Sequence, residues 1–386
     1  MDTSDQFLMF KLDRMAEEYE KNRHDIIRMT LGKSELDLNI NIVAGMIKAM
    51  LDTSKRTKVY PEGLPELKKA LANYYESTYK LESNKINIDN IIISTGTSAL
   101  FRNIYQALLH DGDEILLPKP YYPLYIMCAK ILPKIIIKFY NIDLNTLKID
   151  FESISNNFNN KTKIIVLNSP GNPLGNIITK NEMIKIDNIV NRRAVIISDE
   201  IYENMYFNND MRYSLLQLDI KSPYIITNSF SKAYRMYTSR VGWCIIGNNN
   251  NLSSQLTILQ EHTLLTTDPV AQYGGIKALK YQQDVNELRE MYKEKYIYAK
   301  YKFRECSSIK LYESMGGFYF TINCSDIIKK YNYKTTCDLA CNILEETGVA
   351  VVPGEDFGLS NCLRISFTSK RFVEGINRLC EYFDKQ

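Results

Sequence analysis

The chain is poor in several features that would mark a large protein class. It has three histidines in 386 residues, His24, His110 and His262, and they are widely spaced. Its eight cysteines include no C-x-x-C pair. Cys337 and Cys341 stand four apart in TTCDLACNILEET, with no histidine near them. They read as two thiols on an amphipathic helix, so no metal site is expected. No apolar run approaches the roughly eighteen residues of a membrane-spanning helix. The first residues, MDTSDQFLMFKLDRMAEEYEKN, are charged throughout and lack a signal peptide's apolar core. The expectation is a cytoplasmic protein with reduced cysteines and no membrane partner. Charge of one sign is also missing. Lys+Arg number 48 against 45 Asp+Glu, a net +3, which offers no basic face to nucleic acid. Nucleotide signatures are absent too: no G-x-G-x-x-G occurs, and the GKS at 32–34 has Ile27 where a P-loop needs its first glycine.

What is present is ordinary globular composition, 45% hydrophobic and 24% charged, in a length that suits two domains. Seven short apolar runs lie between residues 90 and 247: IIIS, EILLP, KIIIKFY, KIIVLN, AVIISD, YIITNS and VGWCIIG. Near-continuous apolar runs suit strands buried on both faces, and helical stretches such as SALFRNIYQALL separate several of them. That alternation predicts an α/β fold with a mostly parallel sheet of about seven strands between helices. After about residue 280 a long charged helix precedes shorter strand candidates, GGFYFTIN, VAVVPG and CLRISF. The expected organisation is a large domain over 46–279 and a smaller α+β domain from 1–45 and 280–386. The N-terminal segment shows no strand pattern of its own.

Ligands of such sheets bind beyond the carboxyl ends of the strands. TGTSALF places Thr95, Gly96, Thr97 and Ser98 at a helix start, which reads as an ordinary N-cap or as an anion site. PKPYYPLY sets tyrosines beside prolines, as turn residues or as flat rings for a flat ligand. NSPGNPLG holds Asn172 between Gly171 and Pro173. SDEIYENMYF ends a buried run with Asp199 and Glu200, and a carboxylate continuing a buried strand needs a partner. NSFSKAYRMYTSR carries Lys232 among hydroxyl residues, with Arg240 eight positions on. Each motif alone has a bland reading. Together they put phosphate donors, a ring, an amide, a buried acid, a lysine and an arginine on one sheet edge. Pyridoxal phosphate needs such a set: a lysine for its aldehyde, an acid for its pyridine nitrogen and a cradle for its phosphate.

On these motifs the chain resembles the class I/II aminotransferases, fold-type-I pyridoxal-phosphate enzymes, over residues 27–383. The resemblance rests on SFSK with its arginine, on NP-x-G and on D-x-x-Y. It implies pyridoxal 5'-phosphate as cofactor, with Lys232 as the aldimine lysine and Asp199 at the pyridine nitrogen. Tyr202 and Asn172 would meet the ring's phenolic oxygen, and Tyr122 would stack on the ring. Gly96, Thr97, Ser98, Ser229 and Arg240 would hold the phosphate. Tyr60 would cross a homodimer interface to the partner's phosphate. Arg364 would grip the substrate carboxylate, with Asn172 and Gly32 beside it. The implied reaction moves an amino group from a 2-amino acid to a 2-oxo acid through a pyridoxamine phosphate intermediate. The same fold and cofactor also serve β-lyases, cyclases or oxidases, and decarboxylases, and that alternative stays open here. A regulator that senses an amino acid is disfavoured by the short, acidic start.

Some positions depart from the family pattern. NPLG stands for NPTG, and YTSR lacks a Gly-aromatic pair before its arginine. Thr97 occupies a position where one dicarboxylate-specific branch has lysine, and the loop over 261–275 has no Lys or Arg. Strict aspartate specificity is therefore not expected, unless Arg102, Arg235 or Lys33 reads a second carboxylate.

Overall fold

The computed structural model describes residues 7–22, 25–249 and 251–385; His24 and the first six residues lie outside that set. The seven apolar runs form one sheet: β1 (Ile91–Ser94), β2 (Glu114–Lys119), β3 (Ile136–Asn141), β4 (Thr162–Asn168), β5 (Val195–Asp199), β6 (Tyr224–Ser229) and β7 (Gly242–Gly247). Their spatial order is β1-β7-β6-β5-β4-β2-β3. Strand β7 is antiparallel to β1 and β6, and the other adjacent pairs are parallel.

The sheet is covered on both faces, and the apolar runs show why. Successive residues feed opposite cores. Ile91, Ile93, Leu116, Ile165, Leu167, Ile196 and Ile226 pack into one cluster. Ile92, Ile115, Leu117, Ile164, Val166, Ile197 and Ile225 pack into the other. Each such side chain, taken fully from water, contributes roughly 1.5–3 kcal/mol. Strand β3 is the exception, an edge strand with mixed exposure. Its Lys138 reaches Glu114 of β2 at 3.0 Å, which keeps a charge on the open edge.

A second, antiparallel sheet follows: β8 (Lys310–Leu311), β9 (Tyr319–Asn323), β10 (Val352–Pro353) and β11 (Cys362–Ser366), in the order β10-β11-β9-β8. The VAVVPG run divides between two sheets. Val352–Pro353 joins this one, while Val349–Ala350 pairs in parallel with Ile27–Arg28. The N-terminal segment thus contributes a strand after all. At two residues it is too short to leave a period-2 pattern. Its helix Leu8–Lys21 packs against the helix Thr336–Thr347 and against the short turn Gly354–Phe357. Asp356 accepts the backbone N–H groups of Leu8 and Met9, both at 2.8 Å.

The helix Ile40–Leu51 lies on the helix Pro269–Ala278. Two glycines allow the approach, since a Cβ on Gly45 would lie 2.6 Å from Lys277 and one on Gly274 2.7 Å from Met46. Residue 45, the expected end of the N-terminal segment, falls inside that helix. Among the described residues no helix is long and apolar enough to cross a membrane.

Candidate active site

The carboxyl ends of β4, β5 and β6 converge on a small cavity. Thr97, Tyr122, Tyr125, Asn168, Asn172, Asp199, Ile201, Tyr202 and Lys232 line it. Asn168 ends β4 and Asp199 ends β5, so adjacent parallel strands deliver both groups to the same edge. Thr97 opens the helix after β1, Tyr122 precedes the helix after β2, and Lys232 follows β6.

Asp199 is 3% exposed. The Tyr125 hydroxyl donates to its Oδ2 at 2.6 Å, and the Thr227 hydroxyl donates to its Oδ1 at 3.1 Å. Burial pushes the carboxyl up to about 6, against the pull of those two hydrogen bonds and of Lys232. A cation placed in the cavity would restore the carboxylate to its charged form.

Lys232 Nζ donates to the Gly32 carbonyl at 2.9 Å. The rings of Tyr202, Tyr237 and Phe318 surround it, each with its centroid 5.9 Å away. Gly32 has no room for a side chain. A Cβ there would overlap the Tyr319 hydroxyl and lie 2.8 Å from Lys232 Nζ.

Arg240 stands in the left-handed region, at φ 50°, and donates to Ser231 Oγ at 3.2 Å and to the Tyr237 carbonyl at 3.0 Å. Its other terminal nitrogen faces Gly96, where a Cβ would sit 2.5 Å from it. Gly96 has φ 84° and precedes the helix Thr97–Leu108, whose first turn has no side-chain cap among the described residues. Uncapped N–H groups beside a guanidinium form a cradle for a phosphate. Ser229 Oγ accepts the Ser231 N–H at 3.1 Å within the same turn, and Ser98 follows Thr97 on the helix.

Arg364, on β11, is 1% exposed. It donates to Asn172 Oδ1 at 3.1 Å and to the Thr30 carbonyl at 2.6 Å. The ring centroids of Tyr319 and Phe357 lie 3.9 Å and 4.6 Å from the Arg364 guanidinium carbon. Its buried Nε has no partner among the described residues. An unsatisfied buried guanidinium N–H is a standing demand for an acceptor such as a carboxylate. Asn172 is held in turn by its backbone N–H, which donates to Asn168 Oδ1 at 2.8 Å.

The structure therefore brings Lys232, Asp199, Tyr202, Asn172, Thr97 and Tyr122 around one cavity, with Gly32 at Lys232, Arg364 at Asn172, and Gly96 at Arg240. Tyr60 does not line the cavity. It meets Thr266 beside the exposed Val59. The cations considered for a second carboxylate are engaged or outside. Arg102 bonds Asn103 Oδ1, Arg235 pairs with Asp284 at 3.4 Å, and Lys33 is exposed. Sequence reading missed Tyr125, Thr227, Asn168, Ser231 and Tyr319. Tyr125 had a findable signal, standing three residues after Tyr122 on one helix face. The others bear on the site only through strand pairing and turns.

The Asp199 carboxyl, the Lys232 amine and the cradle at Gly96 and Arg240 fit what the pyridine nitrogen, the aldehyde and the phosphate of pyridoxal phosphate would need. The class these features define is the fold-type-I pyridoxal-phosphate enzymes. The profile of the family described as aminotransferase class I and II matches residues 25–383, and the chain belongs to that family. An aspartate aminotransferase of Bacillus sp. strain YM-2 is 28% identical over 365 residues, covering 93% of this chain and 91% of the relative. A probable aspartate/prephenate aminotransferase of Rickettsia conorii is 31% identical over 392 residues, covering 95% and 92%. The solved alanine aminotransferase of Pyrococcus furiosus superposes with a TM-score of 0.90 at 24% identity, covering 99% of this chain and 98% of that one. The chain is a pyridoxal-phosphate-dependent transaminase.

Proposed function

We propose that this transaminase takes a 2-amino acid whose α-carboxylate is held by Arg364 and passes the amino group to a 2-oxo acid. The observation that carries this reading is the buried Arg364 Nε, without a partner among the described residues, beside Asn172 at the Lys232 cavity. Lys232 Nζ would hold the cofactor's aldehyde carbon. Asp199 would face its ring nitrogen, Asn172 and Tyr202 its phenolic oxygen, and Tyr122 its ring. Gly96, Thr97, Ser98, Ser229 and Arg240 would hold its phosphate. When bound, the cofactor supplies a sink for the electron pair left as the donor's Cα–H bond breaks.

In this reading Lys232 does the proton work. Its amine, once displaced by the donor, stands where Nζ takes the α-proton as a general base. The Gly32 carbonyl orients that amine through the 2.9 Å hydrogen bond. Asp199 would stay charged opposite the cofactor's protonated ring nitrogen, and Tyr125 and Thr227 hold its oxygens by hydrogen bonds. Arg364 fixes the donor by a flat, two-pronged contact with its carboxylate.

Apart from Arg364 and Arg240, already given to the α-carboxylate and the phosphate, the described residues at the cavity offer Lys232 as their one cation. The reading is therefore a donor recognised through one carboxylate, with its side chain among tyrosines. The relatives named for aspartate make that donor the comparison to run. The test is a half-reaction: amino acids are added singly to the holoenzyme without an oxo acid. Release of one 2-oxo acid per chain identifies a donor. Absence of any oxo acid across the set overturns the reading.

The reading includes three further parts. The first is a homodimer in which Tyr60 of each chain reaches the other's phosphate site. Its support is the apolar exposure of Ile40, Leu51 and Val59 in the segment around Tyr60, and sedimentation tests it. The second is a division into 46–279 and 1–45 with 280–386, supported by the pairing of Ile27–Arg28 with Val349–Ala350. The third is a cytoplasmic location.

A further inference from the structure

Tyr319 begins β9, opposite Ser366 of β11, and Arg364 lies two residues along β11 on the same face. Side chains related by that diagonal are within reach when one is aromatic. The Tyr319 ring centroid lies 3.9 Å from the Arg364 guanidinium carbon, and that of Phe357 4.6 Å from it. Tyr319 is 3% exposed, so the pair is desolvated. Aromatic rings packed this close to a desolvated guanidinium restrict how its planar fork can turn, and a carboxylate is bound by that fork.

The other end of the same residue does something different. The Tyr319 hydroxyl stands beside Lys232 Nζ at Gly32, where a Cβ would overlap the one and lie 2.8 Å from the other, and its ring meets the Tyr202 ring edge-on at 6.0 Å. It fills the space that Gly32 leaves empty, which is why a Cβ at Gly32 would overlap it. One side chain therefore reaches from the arginine that would receive the substrate carboxylate to the neighbourhood of the amine that would receive the α-proton. Burial would raise this phenol, but Lys232 and Arg364 outweigh burial and bring it below its ordinary value. The titratable groups facing it are Lys232, Arg364, Tyr202, Tyr122 and Tyr292.

We propose that Tyr319 is a positioning residue with two separable parts: its ring holds Arg364 flat for the substrate carboxylate, and its hydroxyl holds the Lys232 amine for proton transfer. The inference rests on the roles given above to Lys232 and Arg364. It goes beyond them in naming a residue that couples carboxylate binding to the proton step.

Two substitutions separate the parts. Tyr319→Phe keeps the ring and removes one oxygen, while Tyr319→Leu removes both. With the best donor found in the half-reaction scan, Tyr319→Phe leaves KM within about threefold and lowers kcat about tenfold or more, with a displaced pH profile of kcat. Tyr319→Leu adds a rise in KM of about tenfold, the scale of a desolvated cation–ring contact. An independent readout uses cofactor-free protein. Ultraviolet difference titration shows one tyrosine ionising below the bulk of the 27, and Tyr319→Phe abolishes that step. Arg364→Lys is the control for the underlying reading. If it raises KM while Tyr319→Leu does not, the ring's role is overturned and Arg364 keeps its own. If Arg364→Lys leaves KM unchanged, the carboxylate reading and this inference fall together. Wild-type kcat and pH profile in Tyr319→Phe overturn the hydroxyl's role. Far-ultraviolet dichroism confirms that each variant is folded.

Discussion

The Tyr125 hydroxyl donates to Asp199 Oδ2 at 2.6 Å, between a helix that follows β2 and the last residue of β5. The two residues are far apart in sequence, and both are buried. The bond aims the carboxylate into the cavity and favours its charged form. Tyr125→Phe removes it and leaves Thr227 as the other side-chain donor. The expected result is a fall in kcat of about tenfold, consistent with one hydrogen bond to a charged group. KM for the amino acid should stay near wild type, and steady-state kinetics of the pair checks both.

Asp199 also sets a pH dependence of stability. Its folded value, about 6, lies above the ordinary 3.8. The stability this group contributes is therefore present below pH 3.8 and is lost as pH rises through 6. Without cofactor, Asp199→Asn should unfold at higher denaturant than wild type at pH 8. The gain should reach at most roughly 3 kcal/mol, because each tenfold loss of acidity on folding costs about 1.4 kcal/mol. The difference should vanish at pH 3.5. The same substitution should remove transamination, because the ring nitrogen loses its acid. Urea unfolding at the two pH values, with an activity assay, measures both halves.

Glu200 follows the same rule at higher pH. It is fully buried, with Ser198 donating to Oε1 at 2.9 Å and Oε2 without a partner among the described residues, and burial pushes it up to about 8. Glu200→Gln keeps the shape and cannot ionise. It should match wild-type stability at pH 4 and exceed it increasingly as pH rises from 4.5 through 8, with activity little changed. Equal unfolding midpoints at pH 9 would contradict this.

A buried ion pair braces the segment after Asp199. Arg212 Nε meets Glu203 Oε2 at 3.0 Å, and the hydroxyls of Tyr74 and Tyr79 donate to the same carboxylate at 2.7 and 2.9 Å. Arg212→Met should cost about 3–5 kcal/mol, since Glu203 would be left charged and buried. Thermal denaturation of the cofactor-free protein reads the loss. A double substitution with Glu203→Gln should recover most of it.

Arg364 is the residue whose exchange should act on binding more than on turnover. Arg364→Lys keeps the charge but loses the planar fork and the two ring contacts. KM for the amino donor should rise about 100-fold, in the range expected when a bidentate, desolvated contact is lost. A change smaller than threefold would assign the carboxylate to another group.

Much of the sheet was readable in the chain because both faces are buried. Residues feeding two cores must all be apolar, so strands such as Ile91–Ser94 and Thr162–Asn168 appear as unbroken runs with edges within a residue or two. Ile27–Arg28 was not readable, since two residues carry no period, and the VAVVPG run gave no sign that it splits between two sheets. Of the site, Lys232, Asp199 and Asn172 were legible because each closely follows or ends a strand run. Tyr319 was not, because its place in GGFYFTIN is that of an ordinary strand aromatic.

By itself the sequence determined which chemical groups stand at the strand ends, and in what order, because strands and their following turns are local. Only the tertiary structure decided what those groups touch. The pairing of β9 with β11 puts Tyr319 over Arg364, the pairing of β4 with β5 sets Asn168 beside Asp199, and the path of the N-terminal segment brings Gly32 to Lys232 across 200 residues of chain. Such contacts depend on register and packing between distant segments, and no local pattern in the chain encodes them.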